Sequence, residues 1–307
     1  MNTISTIEVR KQLQPRVSFL LLVFFVTLLT FFGLLLFSVI PKYQATGSQV
    51  EIVFMDVGQG DATLVQVKTP ALFTDTQLLV DGGPNRMVLN GLGQVSPLFD
   101  RVVEYVIATH PDADHIGGLI PVLERYKVET VIQNSDVSDT PVYQEYSKQV
   151  SQASQVFDDR SVQSIQLGPE TFVTILPVPV LSSDRNDNSV ITRIDHGSTS
   201  VLLTGDASVE VEAYLIENFA ILLDVDILKL GHHGSRTATS LGFLNTTSPE
   251  VVVISAPLDG RYGHPHQEVI DNLKQYRQAE IYWTGTDGVI TVNSTDGGNV
   301  YDVTTQF

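Results

Sequence analysis

The chain has 307 residues, of which 43% are hydrophobic, so it can fold around a sizeable core as one large domain or two small ones. It contains no cysteine, which excludes disulfides, thiolate metal ligands and a cysteine nucleophile. The formal net charge is −17, and the first 42 residues are net positive, so the rest of the chain is more acidic still. Such a chain repels polyanions overall, which argues against unspecific binding to nucleic acid.

A long uncharged segment near the N-terminus predicts a membrane span. Residues 17–40 contain no charged side chain and are rich in Leu and Phe, and about 20 apolar residues suffice to cross a bilayer. Arg10, Lys11 and Arg16 precede the segment, which predicts that the N-terminus is cytoplasmic. We therefore predict an uncleaved, single-pass signal-anchor at 17–40 in the cell membrane, after a cytoplasmic N-terminus at 1–16. A cleaved signal peptide and a buried core helix are the alternatives.

The remaining chain is predicted to be a linker at 41–48 and one extracytoplasmic domain at 49–307, in which short apolar strands alternate with helical patterns. The first series has strands at 50–55, 62–67, 77–80, 102–108 and 128–133 and helices at 116–126 and 141–154. The second has strands at 162–166, 171–176, 189–195, 199–204, 226–230, 251–255, 279–284, 288–292 and 299–303 and helices at 207–220, 236–245 and 266–277. This mixture predicts a layered α/β structure.

Four potential metal ligands stand within six residues after the strand at 102–108. In the segment 109–118 (THPDADHIGG), His110, Asp112 and Asp114 alternate, so an extended backbone would point them to one side. His115 follows directly. Because buried charges are costly unless they are paired or bind metal, this cluster predicts a metal site. The alternative is a polar loop that caps a helix.

Three further segments place a carboxylate or an imidazole just beyond a predicted strand. Asp206 ends the segment 203–206 (LTGD), His232 and His233 stand in 231–235 (GHHGS), and His264 stands in 262–265 (YGHP). Open α/β sheets place their ligand sites at the carboxyl ends of strands. We therefore expect these segments to converge on the first cluster. His196, by contrast, stands in a predicted hairpin turn and is expected to face solvent.

These segments, together with 56–61 (DVGQGD) and 80–83 (VDGG), occur in an order that resembles the metallo-β-lactamase-fold hydrolases. Within that family the chain is similar to the hydrolase domain of ComEC-type competence proteins. The resemblance covers residues 50 to about 295 and implies a four-layer αβ/βα sandwich, here preceded by one predicted transmembrane helix. It does not extend to the many-helix membrane channel of ComEC-type proteins.

The resemblance implies a site for two divalent metal ions. The family signature His-x-His-x-Asp-His has an Asp in place of its second His here. One ion would be held by His110 and Asp112, the other by Asp114 and His115, with Asp206 as the bridging carboxylate. The resemblance adds His264 as the last ligand of the second ion. The histidine that the family carries about 20 residues before the bridging Asp is missing, and Asn188 is expected to stand in as a weak oxygen ligand.

Catalytic and supporting roles follow from the same resemblance. Asp114, His232 and His233 are predicted to be catalytic. Either histidine could protonate the leaving oxygen; the resemblance favours His232, with His233 packing against it or orienting it. Asp61 and Asp81 are expected to fix the tautomers of ligand histidines. Asp56 is placed in the same supporting group. For Asp56 and Asp81, capping of a turn is the alternative.

A donor set of nitrogen and oxygen without sulfur suits Zn²⁺ or Mn²⁺. Two such ions can share a hydroxide and promote an in-line displacement. We therefore expect a membrane-anchored, metal-dependent phosphodiesterase or nuclease, with single-stranded DNA or another phosphodiester as substrate; no protein partner is indicated. The alternatives are a hydrolase of a small envelope ester, lactone or phosphodiester, and a degenerate binding module without activity.

Overall fold

The computed structural model describes residues 27–28, 30, 48–68, 75–95, 100–161, 164–179 and 183–306. The chain divides into Met1–Thr46 and Gly47–Phe307, and the second unit is described below. The predicted cytoplasmic segment 1–16 lies outside the described residues, as do nearly all of the predicted span 17–40 and linker 41–48. Among the residues that are described, no helix has both the length and the apolar character needed to cross a bilayer.

The second unit contains two mixed β-sheets. The first has eight strands in the order β15-β14-β1-β2-β3-β4-β5-β6, and the second has seven in the order β13-β12-β11-β10-β9-β8-β7. The bounds of the first sheet are β1 Gln49–Phe54, β2 Thr63–Lys68, β3 Thr76–Val80, β4 Val102–Ala108, β5 Lys127–Gln133, β6 Gln155–Asp158, β14 Val289–Thr295 and β15 Val300–Gln306. Those of the second are β7 Ser164–Gly168, β8 Thr171–Leu176, β9 Ile191–His196, β10 Thr199–Leu203, β11 Ile227–Lys229, β12 Val251–Ile254 and β13 Glu280–Trp283.

Eight described α-helices connect these strands. Their bounds are α1 Val88–Val95, α2 Ala113–Ile116, α3 Leu119–Arg125, α4 Pro141–Val150, α5 Val209–Leu223, α6 Leu241–Thr247, α7 Gln267–Tyr276 and α8 Thr284–Asp287. Side-chain alternation along the strands assigns each face of a sheet to a separate core. Val50, Ile52 and Phe54 of β1 pack between the two sheets, whereas Val53 packs on the outer face against helices.

The three hydrophobic cores define four layers. One core lies between the sheets, one joins the first sheet to α1–α4, and one joins the second sheet to α5–α7. The order is helices, sheet, sheet, helices, which is the sandwich that the family resemblance implies. The inner core is built from β-branched and leucine side chains of both sheets, so the two sheets are fixed against each other along one continuous apolar interface.

Strand direction brings the loops of both sheets to one edge. In the first sheet β3 and β4 are parallel, so the residues after Val80 and Ala108 are neighbours. The start of β2 joins them, because Thr63 of β2 pairs with Val80 of the antiparallel β3. In the second sheet β10, β11 and β12 are parallel, and their carboxyl ends deliver the loops at 204–206, 230–235 and 255–266. Five of the predicted site segments lie at these strand ends, namely 80–83, 109–118, 203–206, 231–235 and 262–265, and segment 56–61 lies just before the start of β2.

Three elements, α1, the short edge strand β6 and α8, were not predicted from the sequence, and two predicted helices are broken or shortened. Gly91 of α1 allows Met55 to pack against the helix backbone. The predicted helix 116–126 is two helices broken at Gly117 and Gly118. The predicted helix 236–245 begins only after Ser240, because residues 235–239 form turns and the Ser240 hydroxyl caps α6.

The expectation that His196 faces solvent is wrong. Its ring is buried at the end of β9, with Nε2 3.1 Å from the Ser48 hydroxyl and Nδ1 2.8 Å from the Ser294 hydroxyl. The turn after it packs against the segment 297–298 of the other sheet. The hairpin turn could be predicted from the local sequence, but the residues that cover His196 come from a distant part of the chain.

Candidate metal centre

The Asp206 carboxylate is the centre of a buried histidine cluster at this edge. It follows β10 and is 4% exposed. Its Oδ1 lies 3.4 Å from His115 Nε2, and its Oδ2 lies 3.8 Å from His110 Nε2. The same Oδ2 lies 3.6 Å from Nε2 of both His232 and His233. Four imidazoles from two sheets therefore turn their Nε2 atoms toward one carboxylate.

His110 and His115 come from the first sheet and share one supporting carboxylate. Asp81, which follows β3, accepts hydrogen bonds from the Thr109 amide at 2.9 Å and the Thr109 hydroxyl at 2.7 Å. It also accepts from His115 Nδ1 at 2.8 Å. Because the Thr109 hydroxyl gives its single proton to Asp81, its contact of 3.0 Å with His110 Nδ1 makes that nitrogen the donor. In the neutral form of both rings, Nε2 is therefore the nitrogen without a proton, and it is directed inward.

His233 comes from the second sheet and has its own supporting carboxylate. It stands in the turn 231–234 after β11, where His232 and His233 have φ of 49° and 57°. Non-glycine residues adopt this left-handed region at a cost, and such strain clusters at functional sites. His233 Nδ1 lies 3.1 Å from Asp61 Oδ1, and the other Asp61 oxygen pairs with Lys229. Asp61 therefore contacts His233, and Asp81 contacts His115, as was expected from the sequence for these two carboxylates.

The unpartnered atoms of the cluster fit a divalent cation. Nε2 of His110, His115 and His233, and Oδ1 of Asp206, are buried without a hydrogen-bond partner among the described residues. Buried polar atoms are normally satisfied, so four orphans facing one point require an explanation. Imidazole nitrogen and carboxylate oxygen are donors for Zn²⁺ and Mn²⁺. Ligand atoms within 4.8 Å of one another occur in four groups: His110, His115 and Asp206; Asp114, His115 and His233; Asp61, Asp81 and His115; and Asp61, Asp206 and His233.

The electrostatics of the cluster favour positive charge. Burial lowers the pKa of His233, but the carboxylates of Asp206 and Asp61 outweigh it and raise the pKa to about 9. Burial likewise opposes protonation of His115, whose pKa the carboxylates of Asp206 and Asp81 raise well above its ordinary value. Burial alone would raise the pKa of Asp206, yet His233 and His115 hold it well below its ordinary value. A cation bound here would take the place of protons on these rings.

Asp114 and His232 form the solvent side of the cluster. Asp114 lies in the first turn of α2 and places Oδ2 3.5 Å from His233 Nε2, with its side chain 30% exposed. Burial raises the pKa of Asp114, but its contact with His233 and the charges of His115 and His233 lower it below its ordinary value. The His232 side chain is 24% exposed, and its Nδ1 lies 3.1 Å from the Thr237 hydroxyl. Burial lowers the pKa of His232, against the attraction of Asp206.

Two predicted ligands are not brought into these groups. Asp112 turns instead to Arg185, whose guanidinium lies 2.9 Å from its Oδ1. His264 lies beside the cluster, with its ring centroid 5.7 Å from that of His232, and packs between Tyr262 and His266. Its Nδ1 is buried without a hydrogen-bond partner among the described residues. For both residues the role of metal ligand stays a prediction.

Asn188 and Asp56 have contacts of other kinds. The Asn188 amide nitrogen donates to Asp136 at 2.9 Å, while its Oδ1 is buried without a partner within the described part of the chain. If Asn188 is a weak metal ligand, as predicted, Oδ1 is the atom that would bind the ion. Asp56 Oδ1 accepts from the Gly58 amide at 3.1 Å, which is the turn-capping alternative.

Sequence reasoning missed two features of the centre. His233 was expected to pack against or orient His232, whereas its Nε2 faces Asp206 and Asp114 in the position of a ligand. Lys229 was not singled out at all, yet it is 2% exposed and pairs with Asp61. A lysine near the end of the predicted strand 226–230 was the available signal, because a buried lysine requires a partner.

Comparison with known proteins identifies the family to which the fold belongs. A family model described as the metallo-beta-lactamase superfamily matches residues 55–257. The crystal structure of the metallo-beta-lactamase fold protein YhfI from Bacillus subtilis has a TM-score of 0.52 with this chain at 15% identity. That alignment covers 79% of this chain and 99% of the other. Identity this low supports a shared fold alone.

The curated relatives are longer proteins. Recombination protein 2 of Haemophilus influenzae is 29% identical over 267 residues, which is 85% of this chain and 31% of that protein. ComE operon protein 3 of Bacillus subtilis is 28% identical over 266 residues, covering 81% and 33%. Competence protein ComA of Neisseria gonorrhoeae is 26% identical over 253 residues, covering 82% and 33%. The chain thus spans about a third of the length of these relatives.

Proposed function

Because this chain belongs to the metallo-beta-lactamase superfamily, we propose that it is a metal-dependent hydrolase of phosphodiester bonds, with single-stranded DNA or another nucleic acid as substrate. The observation that carries the proposal is the convergence of three unpartnered Nε2 atoms on the Asp206 carboxylate. A binding module without chemistry would gain nothing from leaving these buried atoms unsatisfied.

In the proposed centre, His110 and His115 with Asp206 would hold one divalent ion, and Asp114 with His233 would hold a second. When bound, Zn²⁺ or Mn²⁺ lowers the pKa of water toward neutrality and offsets charge that develops on a phosphoryl group. The residues around the site fix its geometry. Asp81 and Thr109 hold the rings of His115 and His110, and these supports leave Nε2 of each ring as the ligand atom.

His232 is the proposed proton donor to the leaving oxygen. It is more exposed than its neighbour His233 and faces Asp206 through Nε2. Its other nitrogen contacts the Thr237 hydroxyl, which orients the ring without fixing it in a buried ion pair. A general acid must reach the substrate, so the exposed histidine of the pair suits the role better than the buried one.

Nucleic acid as the substrate is supported by the relatives, whose names refer to recombination and competence. The acidic chain limits electrostatic attraction to a polyanion. Membrane anchoring through 17–40, with the domain on the extracytoplasmic face, is proposed from the charge pattern before that segment.

The test is a substrate screen of the full chain with Mn²⁺ or Zn²⁺. Single-stranded DNA, duplex DNA and bis(p-nitrophenyl) phosphate are compared, each with and without a chelator. We expect metal-dependent cleavage of single-stranded DNA that is lost on Asp206→Ala. Asp302→Ala, which removes an exposed carboxylate from the edge strand β15, is the matched control and should keep full activity.

Two outcomes contradict parts of the proposal. Cleavage of the small phosphodiester with DNA left intact would replace nucleic acid by a small envelope substrate. A wild-type chain that binds neither ion would indicate a degenerate binding module instead.

A further inference from the structure

A buried lysine connects the two sheets behind His233. Lys229 is the last residue of β11 in the second sheet, and Asp61 lies just before β2 in the first. The lysine is 2% exposed and the aspartate 5% exposed. One Asp61 oxygen pairs with Lys229 Nζ, and the other lies 3.1 Å from His233 Nδ1. The three side chains therefore form a single row that ends at the metal centre.

The two supporting carboxylates of the centre are compensated differently. Asp81 accepts from the amide and hydroxyl of Thr109, which are neutral donors, in addition to His115. Asp61 has one full positive charge, that of Lys229, in contact with one oxygen. A buried carboxylate without such compensation is costly. The imidazole that Asp61 holds consequently depends on a charge outside the centre, whereas that of Asp81 does not.

We infer that Lys229 is a positioning residue for His233. By compensating the Asp61 carboxylate it keeps one Asp61 oxygen on His233 Nδ1, so that Nε2 of this ring is directed at Asp206 and Asp114. Carboxylates behind ligand histidines both orient the ring and increase its basicity. The inference rests on the proposed function, since it assigns His233 to the proposed metal site.

The experiment measures metal binding and folding in the same variants of the full chain. Lys229→Met keeps the length of the side chain but removes its charge. We expect affinity for Mn²⁺ and Zn²⁺, measured by calorimetry, to fall by about 10–100-fold. The visible absorption bands of the Co²⁺-loaded chain should also shift, because they report the ligand geometry directly. Thermal unfolding without metal gives the structural cost.

A double variant separates positioning from stability. Asp61→Asn with Lys229→Met leaves no unpaired buried charge, so unfolding should return toward the wild-type temperature. Metal affinity should stay low, because a neutral amide replaces the carboxylate behind His233. The matched control is Arg193→Met, which breaks the Arg193–Asp195 ion pair on β9. It should lower the unfolding temperature and leave metal affinity unchanged.

The outcomes are distinct. Wild-type affinity and an unshifted Co²⁺ spectrum in Lys229→Met, or recovery of affinity together with stability in the double variant, would overturn the inference. A wild-type chain that binds none of the three ions would contradict the proposed function itself.

Discussion

At the level of single residues, each histidine that we propose as a metal ligand is held by a hydrogen bond at its Nδ1 atom. His115 and His233 give their Nδ1 protons to Asp81 and Asp61, and His110 gives its proton to the Thr109 hydroxyl. In a neutral imidazole only one nitrogen carries a proton. Every Nε2 is therefore available to a cation, and Asp206 is the carboxylate that all of these atoms face.

Asp206→Asn tests the central carboxylate. The amide keeps the size of the side chain but removes the charge shared by the surrounding imidazoles, so we expect metal affinity to fall by about 100-fold or more. Calorimetric titration of the full chain with Mn²⁺ measures this. Asp195→Asn on β9 is the control and should bind as the wild type does. A titration of Asp206→Asn that overlays the wild type would contradict the assignment.

His232→Ala separates proton transfer from metal binding. The loss of a general acid lowers turnover by about 10²–10⁴-fold. We expect that loss with bis(p-nitrophenyl) phosphate as the probe, while bound metal, measured by mass spectrometry, stays at the wild-type level. A variant depleted of metal would instead make His232 a ligand.

At the level of elements, loops that follow different strands are packed backbone against backbone. The Asp61 amide donates to the Asp114 carbonyl, which ties the loop before β2 to helix α2. Gly60 makes this approach possible. Its φ is +124°, and a Cβ at this position would lie 2.1 Å from the Asp114 carbonyl oxygen. The position of Asp114 in the centre therefore depends on a glycine two strands away.

Gly60→Ala should weaken the centre without touching a ligand. Displacement of the Asp114 backbone is expected to lower metal affinity and to destabilise the fold by about 1–3 kcal/mol beyond the strain of positive φ. Gly58→Ala is the matched control, because Gly58 also has positive φ, but a Cβ added there would meet no atom within 4 Å. Calorimetry and chemical denaturation measure both effects. Equal losses in the two variants would show that the close contact with Asp114 is unimportant.

The sequence predicted those elements whose signal is local. The apolar run of β4 matches its predicted bounds 102–108, and the segment after it places His110 and His115 in the centre as expected. Contacts between distant segments left no such signal. The Asp61–Lys229 pair joins the two sheets, and the burial of His196 depends on Ser294 of a strand about a hundred residues later. Helix α1 was missed because Gly91 and Gly93 weaken its helical pattern.

At the level of the whole molecule, stability depends on carboxylates buried away from the centre. Asp159 follows β6, and its Oδ1 is buried without a partner among the described residues. Burial, reinforced by Asp158, raises the pKa of Asp159 to about 6. The folded state therefore holds this proton more tightly than the unfolded state, whose pKa is 3.8. The stability that protonation provides is present below pH 3.8 and is lost as pH rises to about 6.

Asp159→Asn should remove this pH dependence. At pH 7 the variant is expected to be more stable than the wild type by about 1 kcal/mol, after allowance for solvent screening at a partly solvated site. Near pH 4 the two should differ little. Chemical denaturation of the metal-free chain at both pH values measures the difference. An equal gain at pH 4 and pH 7 would point to packing instead of charge.

The anomalous-scattering map of crystals grown with Mn²⁺ tests the central claim most directly. We expect density for at least one ion within about 2.0–2.3 Å of Nε2 of ligand histidines and of the Asp206 carboxylate. Ions bound only at surface carboxylates, with none in reach of His110, His115, His233 and Asp206, would contradict the claim.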